Sequence, residues 1–234
     1  MRPVATGPDD DAKLDHQAVR RLFGPAYDQM AVFAAMLASQ GPKRGLIGPR
    51  ETGRLWSRHL ANCASLVPHL PAGGTVMDIG SGAGLPGVVL ALARPDLCFE
   101  LVDSMKRRIT WLEEVRTRLG LSNVTLTWSR AQELAGHRQV EAVVSRAVGA
   151  LDEMAAWAAE LLKPGGLYLA LKGRSAGQEL NRCQEAMHHL GYEGLAVIEA
   201  TPLANDKTFV VRGQLGPGKV GAVAHTGGGE RKAT

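Results

Sequence analysis

Apolar residues in the first third of this 234-residue chain fall at helical spacing. Val19, Leu22 and Phe23 make one stripe over Asp15–Phe23, and Tyr27, Met30, Phe33 and Leu37 make a second over Ala26–Ser39. This spacing predicts a pair of amphipathic helices. Gly24-Pro25 separates them, and Gly41-Pro42 is expected to end the second. After a glycine-rich link, Leu55, Trp56, Leu60, Leu66 and Val67 set out a third helical pattern, with a break near Pro68.

From Thr75 the period changes, and compact apolar runs of strand length alternate with helical segments. TVMDI leads to a helix over 88–93 that Pro95 ends, and LCFELVD (97–103) leads to a helix capped by Ser104. That helix has Met105, Ile109, Leu112, Val115 and Leu119 on its apolar face, while Lys106, Arg107, Arg108, Arg116 and Arg118 mostly face outward. VTLTW (124–128), EAVVSRA (141–147) and LYLALKG (167–173) supply three more strands. The last two are followed by helices over 151–162 and 176–190, and Lys163-Pro164-Gly165-Gly166 stops the first of these. GLAVIEA and TFVVRGQ, joined through Pro202 and Asn205-Asp206, predict an antiparallel hairpin that closes the sheet edge. The pattern outlines an α/β fold with a seven-stranded, mostly parallel sheet containing one antiparallel strand. The expected divisions are a disordered tail at 1–14, a helical extension at 15–72, a core at 73–213 and a disordered Gly-rich tail at 214–234.

The stretch TVMDIGSGAGLPG (75–87) organises the rest. A buried strand enters a turn with Gly80, Gly82 and Gly84 at alternate positions, and Pro86 suits the first turn of the next helix. Such a turn lets backbone come close to a nucleotide-like cofactor, which makes Gly80 and Gly82 binding candidates. A turn that uses glycine only for packing is the competing reading. Asp103 lies 19 residues beyond Gly84, at the tip of strand two, where an acid holds a ribose hydroxyl pair in doubly wound folds. A residue just past strand three is well placed to meet a base ring, and Gln132 can pair with an adenine edge. Ser145-Arg146 and Lys172 close strands four and five at the same carboxyl edge, where ligands gather. Both cations also have an ordinary surface reading.

Composition narrows this picture. With 45% apolar residues the chain can fill one α/β core. No run reaches the length of a membrane helix, and MRPVATGPDDDAK lacks a signal-peptide core, so a cytosolic protein is expected. Cys63, Cys98 and Cys183 form no CxxC pair; they predict neither a disulfide framework nor a metal site, and buried small hydrophobes are the simplest reading. Net charge is +4, which permits a polyanionic partner without requiring one. Lys43, Arg44, Arg50, Arg54 and Arg58, with His59 adjacent and Glu51 as the single acid, make a stripe suited to phosphate backbone. Composition alone favours an ordinary solvated helix face there.

The run G-x-G-x-G, with an acid two residues before it, departs from the G-x-G-x-x-G of nicotinamide dehydrogenases and resembles the turn of Class I S-adenosylmethionine-dependent methyltransferases, which have a Rossmann-like fold. DIGSGAGLPG, LVDSMKRRITWLEEV, SRAVGALDEM and ALKG, with GLIGPRETGRLWSRHLANC upstream, are similar in order and spacing to the ribosomal RNA small subunit methyltransferase G family, also called glucose-inhibited division protein B. The resemblance spans about residues 15 to 213. It implies a cytoplasmic enzyme, expected to be a monomer without metal, that uses S-adenosyl-L-methionine to methylate N7 of a guanine in a conserved loop of 16S ribosomal RNA in the small ribosomal subunit. It further implies cofactor contacts at Gly80, Leu85, Asp103, Ala131, Gln132 and Arg146. Arg130 and Lys172 are candidates for RNA contact or methyl-transfer positioning, Arg146 with Lys172 for positioning the base or its phosphates, and Arg50, Arg54, Arg58 and His59 for holding the RNA backbone; His59 equally suits packing. Many relatives continue the Arg-His stretch into Asp-Ser, whereas this chain has Asn62-Cys63, so no role carried by that acid transfers.

Two rivals keep the fold: a methyltransferase with a small-molecule substrate, and a binding protein without catalysis.

Overall fold

The computed structural model describes residues 10–146, 149–203 and 207–217. The expected tails at 1–9 and 218–234, Ala147-Val148 of the SRAV stretch and Asn205-Asp206 of the turn lie outside the described residues.

Helix α1 (His16–Phe23) begins at Asp15, whose carboxylate accepts from Gln17 N at 2.8 Å, and ends at Gly24. This is a side-chain N-cap of the kind that contributes about 1 kcal/mol. Helix α2 (Tyr27–Arg44) runs past the expected stop at Gly41-Pro42 and ends one turn later, where Gly45 adopts the left-handed conformation. Gly41 serves packing instead: a Cβ there would lie 2.7 Å from Ile47 Cγ1, so the glycine lets the following loop fold back against the helix. Pro42 falls in the last turn, where one missing donor is tolerated.

The third helical pattern is irregular. It consists of a 3-10 segment (Pro49–Arg54), a π-helical turn (Leu55–Leu60), a short α3 (Ala61–Ala64) and a 3-10 turn over Val67–His69 that contains Pro68. Asp10 and Asp11 correct the expected tail boundary at residue 14. Asp11 accepts from Trp56 N and Ser57 N, both at 2.9 Å, and from Ser57 Oγ at 2.8 Å, while Asp10 pairs with Arg54 at 2.6 Å. The low apolar content of this segment says nothing about such capping, in which carboxylates satisfy the open N–H groups at a helix start.

The sheet is read in the order β3-β2-β1-β4-β5-β7-β6. Its strands are β1 (Thr75–Ile79), β2 (Cys98–Asp103), β3 (Val124–Trp128), β4 (Val140–Arg146), β5 (Leu162–Lys172), β6 (Tyr192–Ala200) and β7 (Thr208–Leu215). All neighbouring pairs are parallel except those made by β7, which is antiparallel to both β5 and β6. The hairpin therefore closes the sheet with its second strand inside. β7 buries Val210 and Val211 and fits between two neighbours, whereas β6 carries exposed Glu193 and Glu199, which suit a sheet edge. The 163–166 turn is bulged out of the β4–β5 ladder, which passes from Val140↔Leu162 to Ala142↔Leu167.

Helices α4 (Gly87–Ala93) and α5 (Lys106–Leu119) cover one sheet face, together with the N-terminal helices. Phe33, Leu37 and Leu60 share one core there with Val88, Trp111 and Leu112. Helices α6 (Leu151–Leu161) and α7 (Ala176–His189) cover the other face. The strand alternation of β1 sends Val76 and Asp78 to the first face and Met77 and Ile79 to the second. Among the described residues, no helix is long and apolar enough to cross a membrane.

Candidate active site

The glycine turn sits at the carboxyl end of β1, in the middle of the sheet. Gly80 N and Ser81 N donate to Val102 O at 2.9 and 3.0 Å, Gly84 N donates to Ser81 O at 2.8 Å, and Gly82 N donates to Asp103 Oδ2 at 2.9 Å. These amides hold the turn's own shape and are not left open as an anion cradle. Gly82, at φ +55°, faces open space apart from Gly80 O, 3.7 Å from where a Cβ would sit. Gly84 packs: a Cβ there would lie 2.7 Å from Val88 and 3.2 Å from Phe33. Gly87 has the same purpose, since a Cβ would meet Leu101 and lie 2.6 Å from Asp78 Oδ2. Both readings of the turn thus hold, at different glycines. Pro86 occupies the N-cap position of α4, just before its first turn.

Asp78 is fully buried beneath the turn. Its Oδ2 accepts from Gly87 N at 3.0 Å, while Oδ1 has no hydrogen-bond partner among the described residues. Burial and the nearby Asp103 charge push its pKa up to about 7, against the opposing pull of Gly87 N, Ser81 and Arg146.

Two cavities flank the turn and share Gly80 and Arg108. The first, about 370 Å³, is lined by Asp103, Ser104, Arg130, Ala131, Gln132 and, from α6, Met154 and Trp157, among others. Asp103 is almost wholly buried at its floor. Its Oδ1 accepts from Met105 N at 2.8 Å, and its Oδ2 accepts from Gly82 N and from Arg108 Nη1 at 3.3 Å. Ser104 does not cap the helix, whose N-cap residue is Met105, and Arg108 turns inward to Asp103 instead of outward to solvent. Ser104 is exposed, because the helix starts one residue later than the capping pattern suggests.

The second cavity, about 260 Å³, lies between the turn residues Gly80–Ala83 and Leu85 and a wall made by Leu46–Gly48, Glu51, His59 and Arg146. His59 Nε2 is 2.8 Å from Glu51 Oε2, and its Nδ1 is in short contact with Arg146 Nη2. Arg146 Nη1 also donates to His59 O and Cys63 Sγ, both at 3.4 Å. Guanidinium can only donate and carboxylate can only accept, so the imidazole carries its proton on Nε2. Burial and the Arg146 charge pull the His59 pKa down to about 4, against the Glu51 hydrogen bond. The ring is therefore neutral near pH 7.

The structure brings Gly80, Gly82, Leu85, Asp103, Ala131, Gln132, Arg130 and Arg146 to this cleft. It does not bring Lys172: the ammonium pairs with Glu179 of α7 at 3.0 Å, with the side chain 12% exposed, one strand away from Arg146. His59 lines the cleft but is buried with both ring nitrogens engaged, so its expected contact with an RNA backbone is corrected to an internal link. The basic stripe is also divided. Arg54 is held by Asp10 and Arg44 forms a two-point bridge to Glu114, whereas Lys43, Arg50 and Arg58 are exposed. Arg58 lies 3.9 Å from Glu51. Sequence reasoning missed Glu51, Arg108, Met154 and Trp157 as cleft residues. The isolation of Glu51 in a basic stretch was the one available signal.

Two features of the cleft fit a nucleoside cofactor. Asp103 offers acceptor oxygens at the floor of the larger lobe, and Gly82 leaves its edge of the turn open. No group of His, Cys, Asp and Glu among the described residues has the arrangement to hold a metal ion. The parallel sheet with β7 inserted antiparallel carries this cleft at its central carboxyl edge.

Solved structures share the fold. The chain is similar to an S-adenosylmethionine-dependent O-methyltransferase from Thermotoga maritima, with TM-score 0.53 and 16% identity over 66% of this chain and 64% of that one. It is also similar to a methyltransferase from Pyrococcus furiosus, with TM-score 0.52 and 16% identity over 64% and 79% of the two chains. At these identities the likeness is one of fold alone.

Sequence relatives go further. Residues 26–205 match the rRNA small subunit methyltransferase G family. The chain is 45% identical over 204 residues to ribosomal RNA small subunit methyltransferase G of Pseudarthrobacter chlorophenolicus, covering 87% of this chain and 94% of that protein. It is 45% identical over 208 residues to the Streptomyces coelicolor protein of the same name, covering 87% of each. The chain belongs to the ribosomal RNA small subunit methyltransferase G family.

Proposed function

We propose that this protein methylates N7 of a guanine in 16S ribosomal RNA, within the small ribosomal subunit, by direct transfer to the ring nitrogen. The observation that carries this reading is the two-lobed cleft, in a chain of this family. One lobe is floored by Asp103, and the other is walled by Glu51, His59 and Arg146 from outside the glycine turn.

S-adenosylmethionine supplies an electrophilic methyl group. Asp103 would accept from the ribose hydroxyls, with Arg108 giving way. Gly80, Gly82 and Leu85 would border the amino-acid arm, and Ala131 and Gln132 would meet the adenine. The remaining lobe, lined by Arg146 and the Leu46–Glu51 wall, is left for the acceptor base. Guanine N7 carries an in-plane lone pair and has no proton to lose, so attack needs orientation and electrostatic support only. The side chains agree with that demand. His59 has no free lone pair to act as a base, because its Nδ1 is taken by Arg146 and its Nε2 proton by Glu51.

A covalent route through cysteine has no support in the geometry. Cys63 is buried with its pKa raised by burial, and neither Cys98, at the opposite end of β2, nor Cys183, on α7, lines either lobe. Lys43, Arg50 and Arg58 are the exposed cations available to RNA phosphates beside the second lobe.

Single-turnover transfer from labelled S-adenosylmethionine to small subunits lacking the modification tests the reading. Label in the RNA, with a rate that falls steeply as salt rises, is expected. Binding without label would make the protein a non-catalytic ribosome-binding module. Activity indifferent to salt would point to a small-molecule acceptor.

A further inference from the structure

Trp128 closes β3 with 59% of its surface exposed, and with Met105 it makes up the large hydrophobics left exposed among the described residues. Single exposed apolar residues are ordinary, so exposure alone carries nothing. The position does. Trp128 is the register partner of Asp103, and Met105 donates its amide to the Asp103 carboxylate, so both residues neighbour in the fold the aspartate that floors the larger lobe.

The indole is also held in place. Its Nε1 donates to Ser104 O at 3.0 Å, and Lys106 Nζ lies 5.2 Å from the ring centroid. With Ser104, Ser129, Arg130 and Glu133 it lines a shallow cavity of about 290 Å³, and Ser104, Ser129 and Arg130 also line the Asp103 lobe. The two cavities are therefore neighbours that share a wall. The surroundings are cationic: Lys106, Arg107 and Arg130 are exposed. The carboxylate in the cavity wall, Glu133, is spent on Ser129 Oγ at 2.9 Å and Arg130 N at 3.1 Å.

We propose that Trp128 is a stacking platform for an unpaired base of the RNA substrate other than the one that is methylated, with Lys106, Arg107 and Arg130 receiving its phosphates. This rests on the RNA reading above. An oriented, exposed indole ringed by cations suits a single-stranded nucleic acid, because every base has a stacking face and every linkage a charge. A peptide partner would find no free carboxylate or apolar groove here. An unpaired RNA segment finds a flat surface and three cations. Sequence preference at this position is expected to be weak, since stacking reads no hydrogen-bond pattern.

The test compares Trp128→Ala and Trp128→Phe with wild type, using unmethylated small-subunit RNA as substrate and calorimetry for S-adenosylmethionine. In Trp128→Ala, KM for RNA should rise on the order of 10- to 100-fold, with kcat and cofactor affinity within about twofold of wild type. Trp128→Phe should recover most of the loss, and RNA should quench the Trp128 part of the fluorescence, read as the difference between wild type and Trp128→Phe. Wild-type protein that methylates RNA while Trp128→Ala keeps the same KM overturns the platform alone. An equal loss of cofactor affinity overturns it in favour of a contact with the cofactor's adenine. Wild-type protein that neither binds nor methylates RNA overturns the substrate reading, and this site with it.

Discussion

The two lobes of the cleft are built in different ways. Around Asp103 the partners are two backbone amides and one guanidinium from the same strand-turn-helix region: Met105 is two residues away, Arg108 five and Gly82 21. Around Arg146 they are the ring and carbonyl of His59, 87 residues away, and the thiol of Cys63, 83 residues away. Backbone partners fix a carboxylate wherever the strand-turn-helix unit forms. Side-chain partners from a distant element fix a guanidinium only once the N-terminal helices have docked on α4 and α5. The contrast suggests a division of work, with a preformed cofactor lobe and an acceptor lobe that depends on the extension.

Asp103→Ala should have the largest effect, because it removes a buried charged acceptor. S-adenosylmethionine affinity should fall on the order of 100-fold, as charged hydrogen bonds contribute roughly 1.5–3 kcal/mol each. Calorimetry with wild-type affinity would end that assignment. Arg146→Ala sharpens the contrast. The methyl-transfer step should slow by roughly 10- to 100-fold, the range for loss of one charged hydrogen bond, with a smaller change in cofactor affinity than Asp103→Ala gives. Equal losses of affinity in the two variants would show that both lobes belong to the cofactor.

His59 offers a test through pH. Its folded pKa, about 4, lies below the ordinary 6.5. The unfolded chain therefore takes up a proton that the buried ring refuses, and the contribution of His59 to stability is present above pH 6.5 and lost as pH falls towards 4. Replacing the ring by His59→Gln should flatten that part of the stability curve, an effect on the order of 3 kcal/mol. Denaturant titrations at several pH values would show it, and an unchanged curve would mean that the ring titrates normally.

The smallest effects belong to the surface. Arg50→Ala and Arg58→Ala should each lower the salt dependence of RNA binding by about one counterion. Arg54→Ala should leave that slope alone and cost at most about 1 kcal/mol of stability, because its charge is engaged by Asp10. A slope change in Arg54→Ala would restore the continuous basic stripe.

The same division explains what the sequence makes legible. All seven strands, the glycine turn and Asp103 are readable because each is a local pattern of apolar period, turn chemistry and spacing. The inserted β7 follows from its apolar run only once the sheet order is known. Asp11, Gly41 and Glu51 act through partners 45, 6 and 8 residues away, without any periodic signature. Lys172 shows the opposite failure: its place at a strand end is read correctly, and Glu179 on the next helix takes its charge.

The most direct test of the account is the chemical identity of the product. Small subunits lacking the modification, treated with the protein and S-adenosylmethionine, should yield 16S ribosomal RNA that cleaves at a single guanine after borohydride reduction and aniline treatment, as an N7-methylated base does. Methyl label in RNA that resists this cleavage, or that maps to a base other than guanine, would contradict direct transfer to guanine N7.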